Sequence, residues 1–233
     1  MTFLGTFVRN LGAAFAIAAV SVLAPVTAFA GAQAEEQLAA SVVNLMSRAV
    51  SDQPVPAGYI NKVEGRAWVD EMSRRLTSRI TDPREREDFL ATVHYEAMRA
   101  GLDPQLVLGV IQHESAFRKY AISTAGARGY MQVMPFWTKL LGASEQNLFH
   151  LRTNLRYGCV ILRHYLDIEN GDVFRALGRY NGSLGRSEYP DAVMAAMTRN
   201  WLFAQDVSAP TTAPTVKVTA ASVSNVVHTK LVQ

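Results

Sequence analysis

The chain has 233 residues, of which 49% are hydrophobic and 18% charged, and its formal net charge is +3. That length allows one domain with a sizeable core plus a helical extension. The weak, evenly spread positive charge suits an acidic polymer or surface, and without a basic run interleaved with aromatics it argues against a nucleic-acid partner.

The first thirty residues read as a targeting segment. Arg9 closes a short positive region, Leu11 to Ala24 are apolar, and Ala28-Phe29-Ala30 has the form of a cleavage site. The stretch is short for a membrane span and stops at Pro25. Cleavage after Ala30 removes one basic residue, so the net charge falls from +3 to +2, and no span is expected to remain. Leu38, Val42, Leu45, Met46 and Ala49 then mark an amphipathic helix from Glu35 to Val50, broken by Pro54 and Pro56. A second helix is expected from about Tyr59 to Ile80. Asp82-Pro83-Arg84-Glu85 supplies a cap, a first-turn proline and a capping-box acid for a third, which stops at Gly101. Asp103 caps a fourth, with Pro104 in its first turn and Leu102 and Val107 as a hydrophobic staple.

A loop with Gly126 and Gly129 follows, where a small hairpin is the one candidate for strand structure. Pro135 opens a short helix with Trp137 and Leu141. Asn154 can cap a longer one that ends at Asn170-Gly171, and Asp172 caps the next through Tyr180. After a turn at Gly182 and Gly185, a last helix runs from about Tyr189 to Phe203. Beyond Asp206 the composition shifts to Ala, Ser, Thr, Val and Pro without aromatics, as in disordered segments. The expected fold is mainly α, with a targeting segment over 1–30, a helical extension over 31–81, the main domain over 82–205 and a disordered tail over 206–233. Cys159 is the single cysteine, which forbids an intramolecular disulfide, and its spacing to Leu155 and Leu162 makes it a core residue.

The chemistry points to Glu114. It falls on the apolar stripe Val107, Val110, Ile111, Glu114 of the fourth helix, where burial would disfavour its charge and keep a proton available for general acid work. The structural alternative is a helix-end Glu paired with Arg118 or Arg128. His113 points about 100° away around the helix, and with Phe at position 117 the His113-Glu114 pair is not a zinc-protease motif. No other residues have metal-ligand spacing, no phosphate-cradling glycine loop is present, and no cofactor is expected.

Three segments stand in order: Gln112-His113-Glu114-Ser115, Gly126-Ala127-Arg128-Gly129-Tyr130-Met131-Gln132, and Arg179-Tyr180-Asn181-Gly182. Together they resemble the lytic transglycosylases with a goose-lysozyme-like catalytic domain, over about Leu102 to Ala204. The resemblance implies a lysozyme-like helical domain, a single catalytic acid at Glu114 and a cleft for peptidoglycan glycan strands. The reaction would be non-hydrolytic, leaving 1,6-anhydro-N-acetylmuramic acid ends in a periplasm. Ser115 would orient the carboxyl or a sugar N-acetyl group, or else bond back to its own helix. Tyr180 would reach the acid through its hydroxyl, and Asn181 would offer donor and acceptor to a sugar. Met131 and Gln132 would line the cleft floor, and Gly126 and Gly129 would let the backbone approach substrate. Tyr130 stands where the family commonly has Leu, Arg179 where it has Ala, and Gly182 comes one position early.

Two other readings stay open. A hydrolase on the same fold would need a second carboxylate, for which Glu145 and Glu188 are the unassigned acids. A catalytically weak binding or envelope-assembly factor would recruit a protein partner through the helices from Gln37 to Ile80, and would leave an apolar face exposed there.

Overall fold

The computed structural model describes Gln33 and residues 35–203, apart from 52–54, 57, 60–62 and 143–144. The expected targeting segment and polar tail therefore lie outside the described residues. Among the described residues eight α-helices follow in order: α1 (Ala40–Val50), α2 (Val63–Arg75), α3 (Pro83–Arg99), α4 (Pro104–Ser115), α5 (Phe136–Leu140), α6 (Leu151–Ile168), α7 (Val173–Asn181) and α8 (Glu188–Ala196). No strand forms among the described residues, and the hairpin expected around Gly126 is reduced to two isolated bridges, Ile122 to Arg128 and Arg128 to Val133. The fold is all-helical, with no described helix long and apolar enough to cross a membrane.

The helix starts follow from their side chains. Asp82 accepts from Glu85 N at 2.8 Å, Asp103 from Gln105 N at 2.8 Å, and Asp172 from Arg175 N at 3.0 Å, each satisfying an orphan backbone donor. Asn154 is different. The expected cap lies inside α6, which begins behind His150, and its buried side chain is committed to the loop described below. The last helix also departs from expectation. After Ala196 it widens into a π-helical turn over Met197–Trp201, which swings Trp201 inward to meet the Phe117 ring, centroids 5.3 Å apart, and to donate to Gln112 Oε1 at 2.8 Å.

One continuous core runs from Met46 in α1 to Trp201. Trp68, Val69, Met72 and Leu76 bury the inner face of α2 and the turn after it, and Met46 and Val50 bury that of α1. The apolar faces of the first two helices are thus turned inward, with Leu45 left 67% exposed as the main exception. Helices α3 and α4 pack against each other, α6 packs on α3 and α7, and α8 packs on α4 and α7. The α4–α8 approach is close enough that a Cβ on Gly109 would sit 3.0 Å from the Val193 carbonyl. That closeness brings the end of α4 against the start of α8.

Candidate active site

Helix α4 delivers Glu114 to the protein interior in its last turn. Val107, Val110 and Ile111 are fully buried below it, and Glu114 itself is 5% exposed. The helix then stops abruptly. Ala116 and Phe117 both adopt left-handed backbone, with φ of 50° and 65°, an uncommon conformation for a bulky residue and one that must be held by its surroundings. The Phe117 ring supplies that hold, packed edge-on to both Phe89 and Trp201.

The carboxyl is held at one oxygen only. Tyr189 at the start of α8 donates its hydroxyl to Glu114 Oε1 at 2.6 Å, while the buried Oε2 has no hydrogen-bond partner. No described cation pairs with Glu114. Arg118 instead donates to the Ser115 carbonyl at 2.9 Å, and Arg128 lies over the Phe149 ring. The other buried carboxyl among the described residues, Glu96, is answered by Arg156 at 2.7 Å. Burial therefore pushes the Glu114 carboxyl up to about 7, with the Tyr189 hydrogen bond working in the opposite direction. At neutral pH a large fraction carries a proton, and Oε2 is the oxygen free to hold it.

The loop from Ala121 to Val133 is fixed from below by Asn154. Its side chain accepts from Met131 N at 2.8 Å and donates to the carbonyls of Arg128 and Leu148, each at 2.8 Å. Tyr180 completes the clamp by donating its hydroxyl to the Met131 carbonyl at 2.7 Å. The tyrosine that touches the acid is thus Tyr189, whereas the sequence pointed to Tyr180. Tyr180 is fully buried, and its hydroxyl is held well above the ordinary range by burial first and by nearby Glu114 second.

The remaining site residues have definite places. Ser115 Oγ bonds back to the Ile111 carbonyl at 3.2 Å, the intrahelical alternative. Met131 is fully buried under the loop. Gln132 has a left-handed backbone, φ 49°, and its amide donates to the carbonyls of Gly129 at 2.8 Å and Ala121 at 3.1 Å. Asn181, 8% exposed, donates to Ser183 Oγ at 3.0 Å. Gly126 (φ 88°) turns in open space. Gly129 (φ 77°) lies so near Leu148 and Asn154 that a Cβ would come within 2.6 Å of both, so its close approach is to the chain itself. Glu188 is exposed, 3.7 Å from Arg186. No group of three or more His, Cys, Asp or Glu residues able to hold a metal occurs among the described residues.

The sequence pattern marks Tyr189 only as the start of the last helix and gives its hydroxyl no role. The available signal was its place on the buried stripe Tyr189, Val193, Ala196, because a buried tyrosine needs a partner for its O–H. A partnerless carboxyl on a facing helix was the natural one.

Comparison with known proteins agrees with this geometry. Residues 92–199 match the family described as Transglycosylase SLT domain. A transglycosylase of Enterobacteria phage PRD1 is 36% identical over 110 residues, covering 44% of this chain and 40% of the phage protein. The membrane-bound lytic murein transglycosylase C of Mannheimia succiniciproducens is 44% identical over 63 residues, 25% of this chain and 18% of that protein. Its namesake in Haemophilus influenzae (strain PittEE) is 49% identical over 47 residues, 20% and 13% of the two chains. The chain thus matches less than half the length of these relatives. The matched segment contains Glu114, Tyr189, Tyr180 and the loop between them, and its similarity is to the transglycosylase SLT domain family.

Proposed function

We propose that the protein is a peptidoglycan lytic transglycosylase in which Glu114 serves first as acid and then as base. The observation that carries this reading is the buried, cation-free carboxyl with one oxygen held by Tyr189 and the other unpartnered. The activities for which the relatives are named, and the match to the transglycosylase SLT domain, support it. The proton on Oε2 passes to the glycosidic oxygen between N-acetylmuramic acid and N-acetylglucosamine. The C1–O bond breaks, and the glucosamine unit leaves with its 4-hydroxyl restored. The muramic N-acetyl group stabilises the positive charge at C1, so no second carboxylate is needed. The Glu114 carboxylate then takes the proton of the muramic 6-hydroxyl as O6 bonds to C1. The product is a 1,6-anhydro ring, and the acid is reprotonated without water entering the balance.

Tyr189 is a positioning residue in this account. Its O–H fixes which carboxyl oxygen is occupied and so which one faces the scissile bond. Asn154 and Tyr180 set the shape of the loop that carries Gly129, Met131 and Gln132. The partner class is a peptidoglycan strand, met in the cell envelope after export by the segment over 1–30. Among the described residues, the exposed Leu45 edge of α1 is what a protein partner there would meet. Turnover of purified sacculi tests the assignment. Glu114→Gln should lower the rate by on the order of 10²–10⁴-fold, the ordinary worth of a general acid–base group. Undiminished turnover in that variant would remove Glu114 from the mechanism.

A further inference from the structure

A cavity of about 460 Å³ opens between the first half of α3, the turn after α4 and the start of α6. Its size is that of a small-ligand site. Glu85 and Asp88 line it from α3, three residues apart and so on one helix face. Both acids are exposed, and among the described residues neither makes an ion pair. Capping of α3 leaves the Glu85 carboxylate unused, because the bond to Asp82 is made by the Glu85 backbone N–H. Lys119 lines the same cavity from the turn after α4. Its ammonium lies 5.4 Å from the Tyr120 ring centroid and pairs with no described carboxylate. His150 and Arg152, around the start of α6, add further basic groups to the lining.

Tyr130 supplies a built polar group. The residue is 3% exposed, and its ring is tilted against fully buried Phe89, centroids 4.9 Å apart. Its hydroxyl makes no hydrogen bond to any described residue. Burial first, then Glu85, Tyr120 and Asp88, push that hydroxyl up to about 12, so it stays neutral at physiological pH with its oxygen in electrostatic reach of both acids. The cavity thus gathers acids from one element and bases from two others, with neither acid bridged to a base. A ligand of one sign would be attracted by one group and repelled by the other. A ligand that carries both an ammonium and a carboxylate satisfies both. Leu151 and the Tyr130 ring give the lining an apolar part suited to short aliphatic side chains.

We propose that this cavity binds a short zwitterionic peptide, with its ammonium on Glu85, Asp88 and the Tyr130 oxygen and its carboxylate on Lys119. The ammonium donates to all three oxygens, and the Lys119 ammonium donates to the peptide carboxylate. The site takes no part in the chemistry of Glu114 and stands apart from the lyase reading. Two sources present the same chemistry, the peptide branches of a peptidoglycan strand and free peptides in solution.

The test is a titration of the full chain, followed by NMR, with trialanine, its N-acetyl form and its C-terminal amide. Trialanine should bind at millimolar concentration, and each blocked peptide about ten-fold more weakly, the ordinary worth of a charge-assisted contact. Glu85→Gln combined with Asp88→Asn should weaken trialanine by about the same factor and abolish its advantage over the N-acetyl form. The advantage over the amide should survive in that variant. Lys119→Met should do the converse. Tyr130→Phe, which keeps the ring on Phe89, should weaken trialanine about five-fold. No binding of trialanine, or variants that weaken all three peptides alike, would overturn the site. Displacement of bound trialanine by soluble peptidoglycan fragments that carry peptide, and not by the same fragments stripped of it, would assign the branch as the source. Bound trialanine that neither fragment displaces would assign a free peptide. Each result reads the same whether or not the protein cuts sacculi, so the site and the lyase stand or fall separately.

Discussion

Glu114 is a carboxyl that the fold buries without giving it a counter-charge, and that has a thermodynamic signature. Its pKa rises from 4.5 to about 7. The folded state therefore binds more protons than the unfolded chain between those values. Stability from this group is fully present below pH 4.5 and is lost as pH rises through 7. The loss amounts to about 3 kcal/mol on the scale of 1.36 kcal/mol per unit. Glu114→Gln removes the titration. The variant should match the parent near pH 4.5 and exceed it by up to about that amount at pH 8, as read from urea unfolding at both pH values. A Tyr189→Phe variant probes the same carboxyl from the other side. Losing a hydrogen bond that lowers the Glu114 pKa should move the alkaline limb of the pH–rate profile upward while the rate itself falls. An unmoved limb would mean that Tyr189 does not contact the acid in the working enzyme. Glu114 was legible in the sequence because one acid on an apolar stripe breaks a simple periodic rule. Tyr189 was not, because its role appears only when α8 is laid across α4, and no spacing within either helix encodes that crossing.

At the scale of elements, the caps and breaks were readable and the pins were not. Asp82, Asp103 and Asp172 act within a few residues of their own position, so local sequence specifies them. Asn154 looks like a cap by the same local rule, yet its amide reaches back to residues 128, 131 and 148. A loop without regular strands has many backbone groups to satisfy, and one buried amide with both donors and an acceptor satisfies three of them. Asn154→Ala should cost roughly 2–4 kcal/mol of stability by leaving those groups unpaired. It should also slow sacculus turnover without moving the alkaline limb set by Glu114. Gly129→Ala should be at least as disruptive, since its φ is positive and its Cβ would collide with Asn154 and the Leu148 carbonyl. Urea midpoints compare the two. The π-helical turn at Met197–Trp201 was equally hidden, because the inward swing of Trp201 answers to Phe117 and Gln112 on another helix.

At the scale of the whole molecule, the first helices are tied into the core that supports the site. Arg156 of α6 pairs with buried Glu96 of α3 and donates to the Ser51 carbonyl at 2.9 Å just after α1. One guanidinium thus joins three parts of the chain. Arg156→Met should destabilise the protein by about 3–5 kcal/mol because it strips buried Glu96 of its 2.7 Å partner and leaves the weaker 3.5 Å contact with Arg99, and Arg156→Met with Glu96→Met should recover much of that loss. Chemical denaturation of the three proteins measures it. An all-helical fold was legible from apolar periodicity, but this three-way tie was not, since Arg and Glu sixty residues apart look like ordinary surface charges.

The central claim is that Glu114 returns its proton through the muramic 6-hydroxyl and not through water. Mass spectrometry of the soluble products released from peptidoglycan sacculi by the purified protein addresses it directly. Muropeptides ending in 1,6-anhydro-N-acetylmuramic acid are expected. Products one water heavier, with free reducing ends, would contradict it and make the protein a hydrolase.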